Sequence, residues 1–593
     1  MQKQFKQTLV AALLAGMFAP AFAAPADADL MKRIDSLSKT MEQMAKEMDT
    51  LKAQVKASNE NTAKVADEVT KVADKSTGRW LTIGGDYQFR VDNLSGETRM
   101  FTDVNATFMN AQNAMQADFF ANPSTAMGSS TYFGAMGMST AGALSALMGF
   151  SNAMQGVKTY NQALGFVTHP MNGAFIQGIG GFAATVPAYK PKNDTLFTNR
   201  FNLDLNGKVA QDVSITAKLS MYKIWGSQNE GALTNAGNAP FFADRVGVFD
   251  GTLSRVPSNS YLNVDRVYAT WSNIADQDMW FSVGRRPSTQ GTPSNLKLNT
   301  ARPGSGGIPS LLVDYAFDGL TLGYAPDIDS LPGSYGKICW GRGFESGYST
   351  SAANSLKDTD MLGLAVVAID TDPLRVWLQW NRGMNIFDAP VMNGTYFGNT
   401  NVKANLGDID WYGIGAMGTM KKVGSGDLNW FVDIGASVTH PNDNVSAQFG
   451  FQGLLTGGFF MPEAPTDKTG GAIWAGIRYD LPSKLKLGLE YNHGSKNWIT
   501  FAPASGDMWT TKAGTRGEVY EAYVIKELDL KPISSPQAKT FVRFGVQYYD
   551  FKYSGSNNWV GAPVEISKIN GDMMTTTPLE NAFNAYATAE VKF

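Results

Sequence analysis

Residues 201–221 read FNLDLNGKVAQDVSITAKLSM, and this stretch decides the fold. Every second residue from Phe201 to Leu205 is apolar, and the same alternation resumes from Val213 to Met221. A period of two is typical of β-strands, and two such runs joined by a short turn predict a hairpin. One face of this hairpin is apolar and the other carries charges, as expected for a strand that separates lipid from water.

The same alternation recurs between residues 79 and 593 and predicts sixteen strands. An Asp318-Gly319 turn is expected to close the hairpin of the sixth and seventh strands, and 261–271 is the strand with the poorest alternation. The predicted strands are 81–91, 200–209, 213–221, 261–271, 278–286, 311–317, 320–325, 361–369, 374–382, 410–420, 428–439, 472–480, 485–493, 518–528, 539–552 and 584–593.

Long and short connections alternate along this series, which is the pattern of bacterial outer-membrane barrels. We therefore expect an all-β fold, a 16-stranded antiparallel transmembrane β-barrel over 79–593. A soluble sandwich or propeller is the alternative, but aromatic residues near the strand ends favour a membrane-interface girdle. These aromatic residues are Trp225, Trp271, Trp380, Trp411, Trp430, Tyr479 and Tyr491. The long connections are 92–194, 226–260, 287–310, 326–360, 383–409, 440–471, 494–517 and 553–583.

The N-terminus predicts a secretory signal peptide over 1–23. Lys3 and Lys6 precede an apolar run, and Ala21-Phe22-Ala23 has the small-x-small pattern of a cleavage site. The alternative, a membrane anchor, would require roughly 20 uninterrupted apolar residues.

Residues 27–77 predict a periplasmic coiled coil, because apolar residues step by four and three along them. A seam this regular would not stay exposed, so we expect a homo-oligomer. By analogy to porins a trimer is favoured, although the seam composition leaves dimer and trimer open. The core positions are Leu30, Ile34, Leu37, Met41, Met44, Met48, Leu51, Val55, Val65, Val69 and Val72, with Ser58 and Thr62 interrupting them.

The residues that carry most cofactor chemistry are scarce. Cys339 is the single cysteine, and His169, His440 and His493 have no ligand spacing to one another. We therefore expect no metal site, no cofactor site and no catalytic residues. A barrel enzyme that pairs one of these histidines with a serine or aspartate is the alternative. The net charge of −3 gives no reason to expect nucleic acid as a partner.

Several phrases carry a resemblance to a known family. They are Thr198-Asn199-Arg200-Phe201, Ala217-Lys218-Leu219-Ser220-Met221-Tyr222-Lys223 and Phe281-Ser282-Val283-Gly284-Arg285-Arg286-Pro287. The chain resembles uncharacterised porin-like outer-membrane proteins, known as a domain of unknown function, that carry an N-terminal coiled coil. The last phrase also resembles the strand end before the constriction loop of general and phosphate-type porins. The resemblance implies passive diffusion and names no solute.

A diffusion channel in the outer membrane of a Gram-negative cell is thus the expected function. The alternative is a barrel that sheathes a partner, such as an electron-transfer cytochrome, or that tethers the envelope through the coiled coil. The expected partners are the lipid bilayer and the outer-membrane assembly machinery, for which the terminal Phe593 is the expected signal. Within the connection 92–194, residues 104–189 hold only two charges, Asp118 and Lys158, so the connection should pack as a cap over the mouth or inside the lumen.

Charges on the polar strand faces should line the pore and set its ion preference. Nine basic residues against six acidic ones predict a modest preference for anions, while pairing of the charges across the lumen is the alternative. The acidic residues are Asp86, Asp204, Asp314, Asp433, Glu490 and Glu521. The basic candidates, with two more on the third long connection (Lys297 and Arg302), are Arg90, Arg200, Lys208, Lys218, Arg286, Arg375, Arg478, Lys486 and Arg543.

Overall fold

The computed structural model describes the barrel part of the chain and divides the chain into two units, Met1–Arg79 and Trp80–Phe593. The predicted signal peptide 1–23 and coiled coil 27–77 lie outside the described residues, apart from Lys39. The described residues are 39, 80–121, 139–226, 259–288, 295–300, 311–346, 355–388, 392–395, 398–400, 402–502, 507–535, 538–575 and 577–593.

Sixteen antiparallel strands pair in chain order and close into one barrel, which confirms the predicted all-β, 16-stranded antiparallel barrel; the membrane-spanning placement and the coiled coil stay predictions. The poorly alternating strand is also present, as β4. The strands are β1 (Leu81–Thr98), β2 (Lys192–Ala210), β3 (Val213–Trp225), β4 (Asn259–Ser272), β5 (Met279–Pro287), β6 (Ala316–Tyr324), β7 (Tyr335–Phe344), β8 (Thr359–Asp370), β9 (Arg375–Phe387), β10 (Asn405–Val423), β11 (Gly426–Pro441), β12 (Lys468–Asp480), β13 (Leu485–Gly494), β14 (Gly517–Glu527), β15 (Lys539–Phe551) and β16 (Leu579–Lys592).

Barrel closure joins the first strand to the last. Tyr87 of β1 lies opposite Val591 of β16. Beyond the end of β16, the amide and carbonyl of Phe593 exchange hydrogen bonds of 3.0 Å with those of Gly85. The terminal residue therefore extends the closing seam, and its use as an assembly signal stays a prediction.

The outward face of the barrel is apolar and exposed. Ile83, Val209, Leu489 and Phe544 are among the large apolar side chains that no other part of the chain covers. Trp411, expected in the interface girdle, is fully buried instead, and its indole donates to the carbonyl of Ile499 at 2.9 Å. Among the described helices, none is long and apolar enough to span a membrane.

The predicted hairpin at Asp318-Gly319 is wrong, because both residues lie inside the continuous strand β6. A Cβ on Gly319 would lie 2.1 Å from the backbone oxygen of Trp340, so this glycine allows a close approach between strands and makes no turn. The true seventh strand, β7, lies in the connection predicted over 326–360. The two errors cancel, so the strand count remains correct.

All the short connections lie at the end of the barrel where β1 begins and β16 finishes, and this end is called here the short-connection end. The long connections lie at the opposite end. They span 99–191, 226–258, 288–315, 345–358, 388–404, 442–467, 495–516 and 552–578.

The first long connection packs as a helical cap. Its helices are α1 (Val104–Ala121), α2 (Thr140–Gln155), α3 (Tyr160–Thr168) and α4 (Pro170–Ile179). Phe150 and Phe166 form an apolar core with Val445 and Phe451, which belong to the connection between β11 and β12. α2 buries Leu147 in this core.

Candidate functional site in the barrel interior

A segment of the connection between β5 and β6 crosses the barrel interior. Residues 295–300, called here the crossing segment, reach strands on the opposite side of the ring. The carbonyl of Leu296 accepts from Arg478 of β12 at 2.7 Å, and that of Leu298 accepts from Lys592 of β16 at 2.7 Å. Lys486 of β13 donates to the Asn299 side chain at 2.8 Å. Three strands thus hold the segment across the lumen.

Lys297 fixes the crossing segment to a buried cluster of charges. Its ammonium lies 2.8 Å from Glu521 and 3.2 Å from Asp507, and its side chain is 1% exposed. Lys512 pairs with Glu490 and with the same Glu521. Charges this deeply buried are stable only when paired. On this side of the lumen, the two lysines and the three carboxylates neutralise one another.

The groups around Lys512 keep its side chain protonated. Burial by itself lowers the pKa of a lysine, but the carboxylates of Glu490, Glu521 and Asp507 outweigh burial here and raise the pKa of Lys512 well above its usual range. Lys512 therefore stays charged over the whole physiological pH range.

An apolar core fills another part of the interior. Trp377, Trp411 and Trp474 point inward from β9, β10 and β12 and are buried. They belong to one cluster with residues of four long connections, namely Leu312, Leu454, Trp498, Phe501 and Trp559. The wall between β9 and β14 is thus covered by the chain's own connections.

Most of the predicted lining residues face inward and have acidic partners. Lys208 is exposed near the short-connection end, and Arg302 lies outside the described residues. The ion pairs are Arg90–Asp92 at 2.6 Å, Arg200–Asp86 at 2.9 Å, Lys218–Asp204 at 3.9 Å, Arg375–Asp370 at 3.6 Å, Arg478–Asp480 at 2.7 Å, Lys486–Glu527 at 2.8 Å and Arg543–Glu590 at 2.6 Å.

Five of these acidic partners were missing from the predicted balance of nine basic to six acidic residues. They are Asp92, Asp370, Asp480, Glu527 and Glu590, and most stand near a strand end. The alternative that the charges pair with one another therefore describes most of the interior. An anion preference has to come from a place where positive charge is not neutralised.

Such a place borders a cavity of about 500 Å³ on the inner side of β4 to β8. Asn273, Asp278 and Gly333 of the short connections line it, so the cavity reaches the short-connection end. Its wall combines two basic side chains with aromatic rings and hydroxyl groups, namely Arg286, Lys337, Tyr268, Trp280, Tyr335, Thr270, Ser272 and Ser282.

Arg286 differs from the other inward arginines in having no carboxylate partner among the described residues. It is 8% exposed, and its Nε has no hydrogen-bond acceptor in the described part of the chain. Its neighbours add no negative charge, since it hydrogen-bonds the Cys339 thiol and lies near the ammonium of Lys337. A buried guanidinium with an unused donor is suited to hold an anion.

The alternation of apolar and polar residues predicted that Arg286 faces the barrel interior, but it did not predict which residues lie next to Arg286. Tyr335, Lys337 and Cys339 lie on β7, which was not predicted because glycines and an outward Arg342 blur its apolar face. Lys512 was missed for a different reason: it lies on a connection, where no periodicity indicates the direction of a side chain.

The histidines lie on different elements and do not form a catalytic group with a hydroxyl or thiol in the described part of the chain. His440 stands between Asp410 at 3.1 Å and Asp467 at 3.0 Å, so both ring nitrogens face carboxylates. His169 precedes α4 and His493 lies on β13. Within the described residues, no cluster of His, Cys, Asp or Glu side chains is arranged to hold a metal ion.

A family model described as "Protein of unknown function (DUF3373)" matches residues 190–593. No curated protein matches the chain. Similar solved structures include OmpT of Vibrio cholerae in its trimer form, with 13% identity, 87% of this chain and 100% of that chain covered, and a TM-score of 0.33. The anion-selective porin from Comamonas acidovorans has 9% identity, coverage of 86% and 99%, and a TM-score of 0.36. OprB of Pseudomonas putida has 10% identity, coverage of 88% and 96%, and a TM-score of 0.36. We draw nothing about function from similarities of this size.

Proposed function

This chain belongs to the DUF3373 family of proteins of unknown function, and we propose that it is a porin-like channel of the bacterial outer membrane. Small hydrophilic solutes cross it by passive diffusion. One observation carries the proposal: a closed barrel of sixteen strands is apolar on its outward face and charged on its inward face. Lipid requires the first property and an aqueous path requires the second.

The channel is a narrow one. The crossing segment and the buried cluster around Glu521 occupy one side of the lumen, and the apolar core fills a second region. The cavity beside β4 to β8 is the polar space through which we route the solute. Its entrance at the short-connection end faces the periplasm if, as in bacterial barrels, both termini are periplasmic.

We assign the channel a modest preference for anions. Arg286 and Lys337 line the cavity, while Asp370 on the same wall is paired with Arg375. The guanidinium of Arg286, which has no carboxylate partner among the described residues, attracts anions and repels cations in a narrow, low-dielectric passage. Asp278 near the entrance opposes this effect, so the preference should be small.

Planar-bilayer recordings of the purified full chain test the proposal. We expect ion-conducting steps, and a reversal potential in a potassium chloride gradient that has the sign of chloride preference. Arg286→Gln should move the reversal potential toward zero, whereas Lys208→Gln, an inward lysine outside the cavity, should not. Folded protein that conducts nothing would contradict the channel, and cation selectivity of the unmodified protein would contradict the anion preference alone.

A sheath for a partner protein is the second candidate, and it fits the interior less well. Any chain threaded through the barrel would have to displace the crossing segment and the apolar core from the wall between β9 and β14. Purification of the protein with a stoichiometric haem protein would favour the sheath over the channel. We further propose that the protein is a homo-oligomer, with a trimer favoured, joined through the periplasmic coiled coil of residues 27–77.

A further inference from the structure

The cavity beside β4 to β8 has the features of a binding site for one class of organic anion. Its volume of about 500 Å³ falls within the range of small-molecule sites. It offers an aromatic surface and hydroxyl groups as well as positive charge, which is more than an unspecific aqueous passage requires.

The charged part of this site is Arg286. Its strand position faces Phe317 of β6, and its side chain extends to Cys339 of β7. The Nε atom is buried without an acceptor among the described residues. Arg286 is 8% exposed and lines the cavity, so a carboxylate in the cavity could accept charge-assisted hydrogen bonds from the part of the guanidinium that faces it.

The aromatic part of the site is a corner made by two rings. Trp280 and Tyr335 both line the cavity, with ring centroids 6.0 Å apart and planes at 68°. A flat ring placed in this corner could meet one aromatic side chain face to face and the other edge to face, the two arrangements that aromatic pairs prefer. Lys337 lines the same cavity and adds positive charge next to this corner.

We propose that this cavity binds a small aromatic carboxylate, with its carboxylate on Arg286 and its ring against Trp280 and Tyr335. The inference deepens the proposed function by naming a solute class. It depends on that function only for the idea that the ligand passes through the channel. The binding itself depends on the cavity and on these three side chains.

Isothermal titration calorimetry with benzoate on the purified full chain in detergent tests the site. We expect saturable binding of one benzoate per chain, and at least about tenfold weaker binding by Arg286→Gln, because a charge-assisted pair is lost. Arg286→Lys should bind with intermediate affinity, since it keeps the charge without the planar fork. Lys208→Gln is the matched control and should bind benzoate as the unmodified protein does.

Two further ligands define the class. Benzyl alcohol, which has the ring without the charge, and inorganic phosphate, which has charge without the ring, should both bind much more weakly than benzoate. Phosphate binding as tight as that of benzoate would overturn the aromatic assignment. Absent benzoate binding, or binding that is equal in the Arg286 variants, would overturn the site.

The barrel fold of each variant is checked by its heat-dependent shift on gels, and Lys337→Gln provides a second, weakened variant if Arg286→Gln does not fold. Binding without conductance would contradict the channel and leave the site standing. Conductance without benzoate binding would contradict the site and leave the channel standing.

Discussion

At the scale of single residues, the stability of the buried charge cluster depends on Lys512. It is the only lysine of the described residues that pairs with both Glu490 and Glu521. Lys512→Met would leave Glu490 buried without a cation, and removal of one member of a buried pair costs on the order of 3–5 kcal/mol. We expect a lower temperature for the gel shift of the barrel, and faster proteolysis within 495–516.

The control for this prediction is Lys484→Met. Lys484 pairs with Asp529 at 2.6 Å on a short connection, where both side chains are exposed. Exposed ion pairs contribute little to stability, so this variant should unfold as the unmodified protein does. Equal behaviour of the two variants would mean that the buried cluster does not hold the connection in place.

Asp358 gives the barrel a pH dependence at the long-connection end. The amide and hydroxyl of Ser346 donate to its carboxylate at 2.9 and 3.0 Å, and Arg342 pairs with it. The Ser346 amide and hydroxyl, helped by Arg342, hold the pKa of Asp358 below its ordinary value of 3.8 despite the opposing effect of burial. The stability that a lowered pKa provides is present above the ordinary value and is lost as the pH falls through the lowered one.

Asp358→Asn should therefore lower the unfolding temperature at pH 7. The difference from the unmodified protein should shrink once the pH falls below about 4, where Asp358 begins to be protonated. Gel-shift temperatures measured from pH 7 to pH 2.5 check this. A difference that stays constant over this range would rule out a contribution from ionised Asp358.

The sequence predicts whether a side chain on a strand faces the barrel interior or the outside. It does not predict the ion-pair partner of that side chain. Arg90 and Arg543 were placed inward by alternation alone. Their acidic partners were not recognised, because Asp92 directly follows the predicted strand 81–91 and Glu590, on the polar face of the predicted strand 584–593, was not counted. Pairing itself depends on neighbouring strands. The contacts of Lys297 with Glu521 and Asp507 depend on the path of a connection, for which no sequence pattern exists.

At the scale of elements, the alternation of apolar and polar residues predicts the strands that have one uniformly apolar face. β7 does not have such a face and was not predicted. Its outward positions include Arg342, and Gly341 and Gly343 interrupt its inward face. Asp318-Gly319, a strong turn signal between isolated strands, is overruled because β6 pairs continuously with β5 and β7. Tertiary pairing decides such cases, and a single sequence does not contain it.

The coiled coil of 27–77 is the element proposed to hold the oligomer together. Replacing Met41, Met44 and Met48 of its seam with serine should weaken the oligomer, because the apolar seam is what the helices bury against each other. The barrel should still show its gel shift. Lys46→Ser, placed on the outer face of the heptad, is the matched control.

Light scattering of the purified protein, together with crosslinking, measures this effect. The seam variant should give a smaller mass than the Lys46→Ser protein at the same concentration. A seam variant that keeps the full oligomeric mass would show that the barrels themselves, and not the helices, hold the subunits together.

At the scale of the whole molecule, the interior is better described as a partly filled barrel than as an open pore. A count of lining charges predicted the polar inward face, but it could not show that most of these charges pair with one another or that the long connections fold back into the lumen. The described interior includes a polar cavity beside Arg286, and an apolar core covers the wall from β9 to β12 with the chain's own side chains.

The most direct test of this account is the single-channel conductance of a protein without the crossing segment. Pro287 and Ala316 are opposite each other in β5 and β6, so a short Gly-Ser turn can replace residues 288–315. The unmodified chain should conduct in small steps, and the folded variant should conduct in clearly larger ones. Equal conductance of the two proteins, or no conductance from either, would contradict a channel narrowed by its own connection.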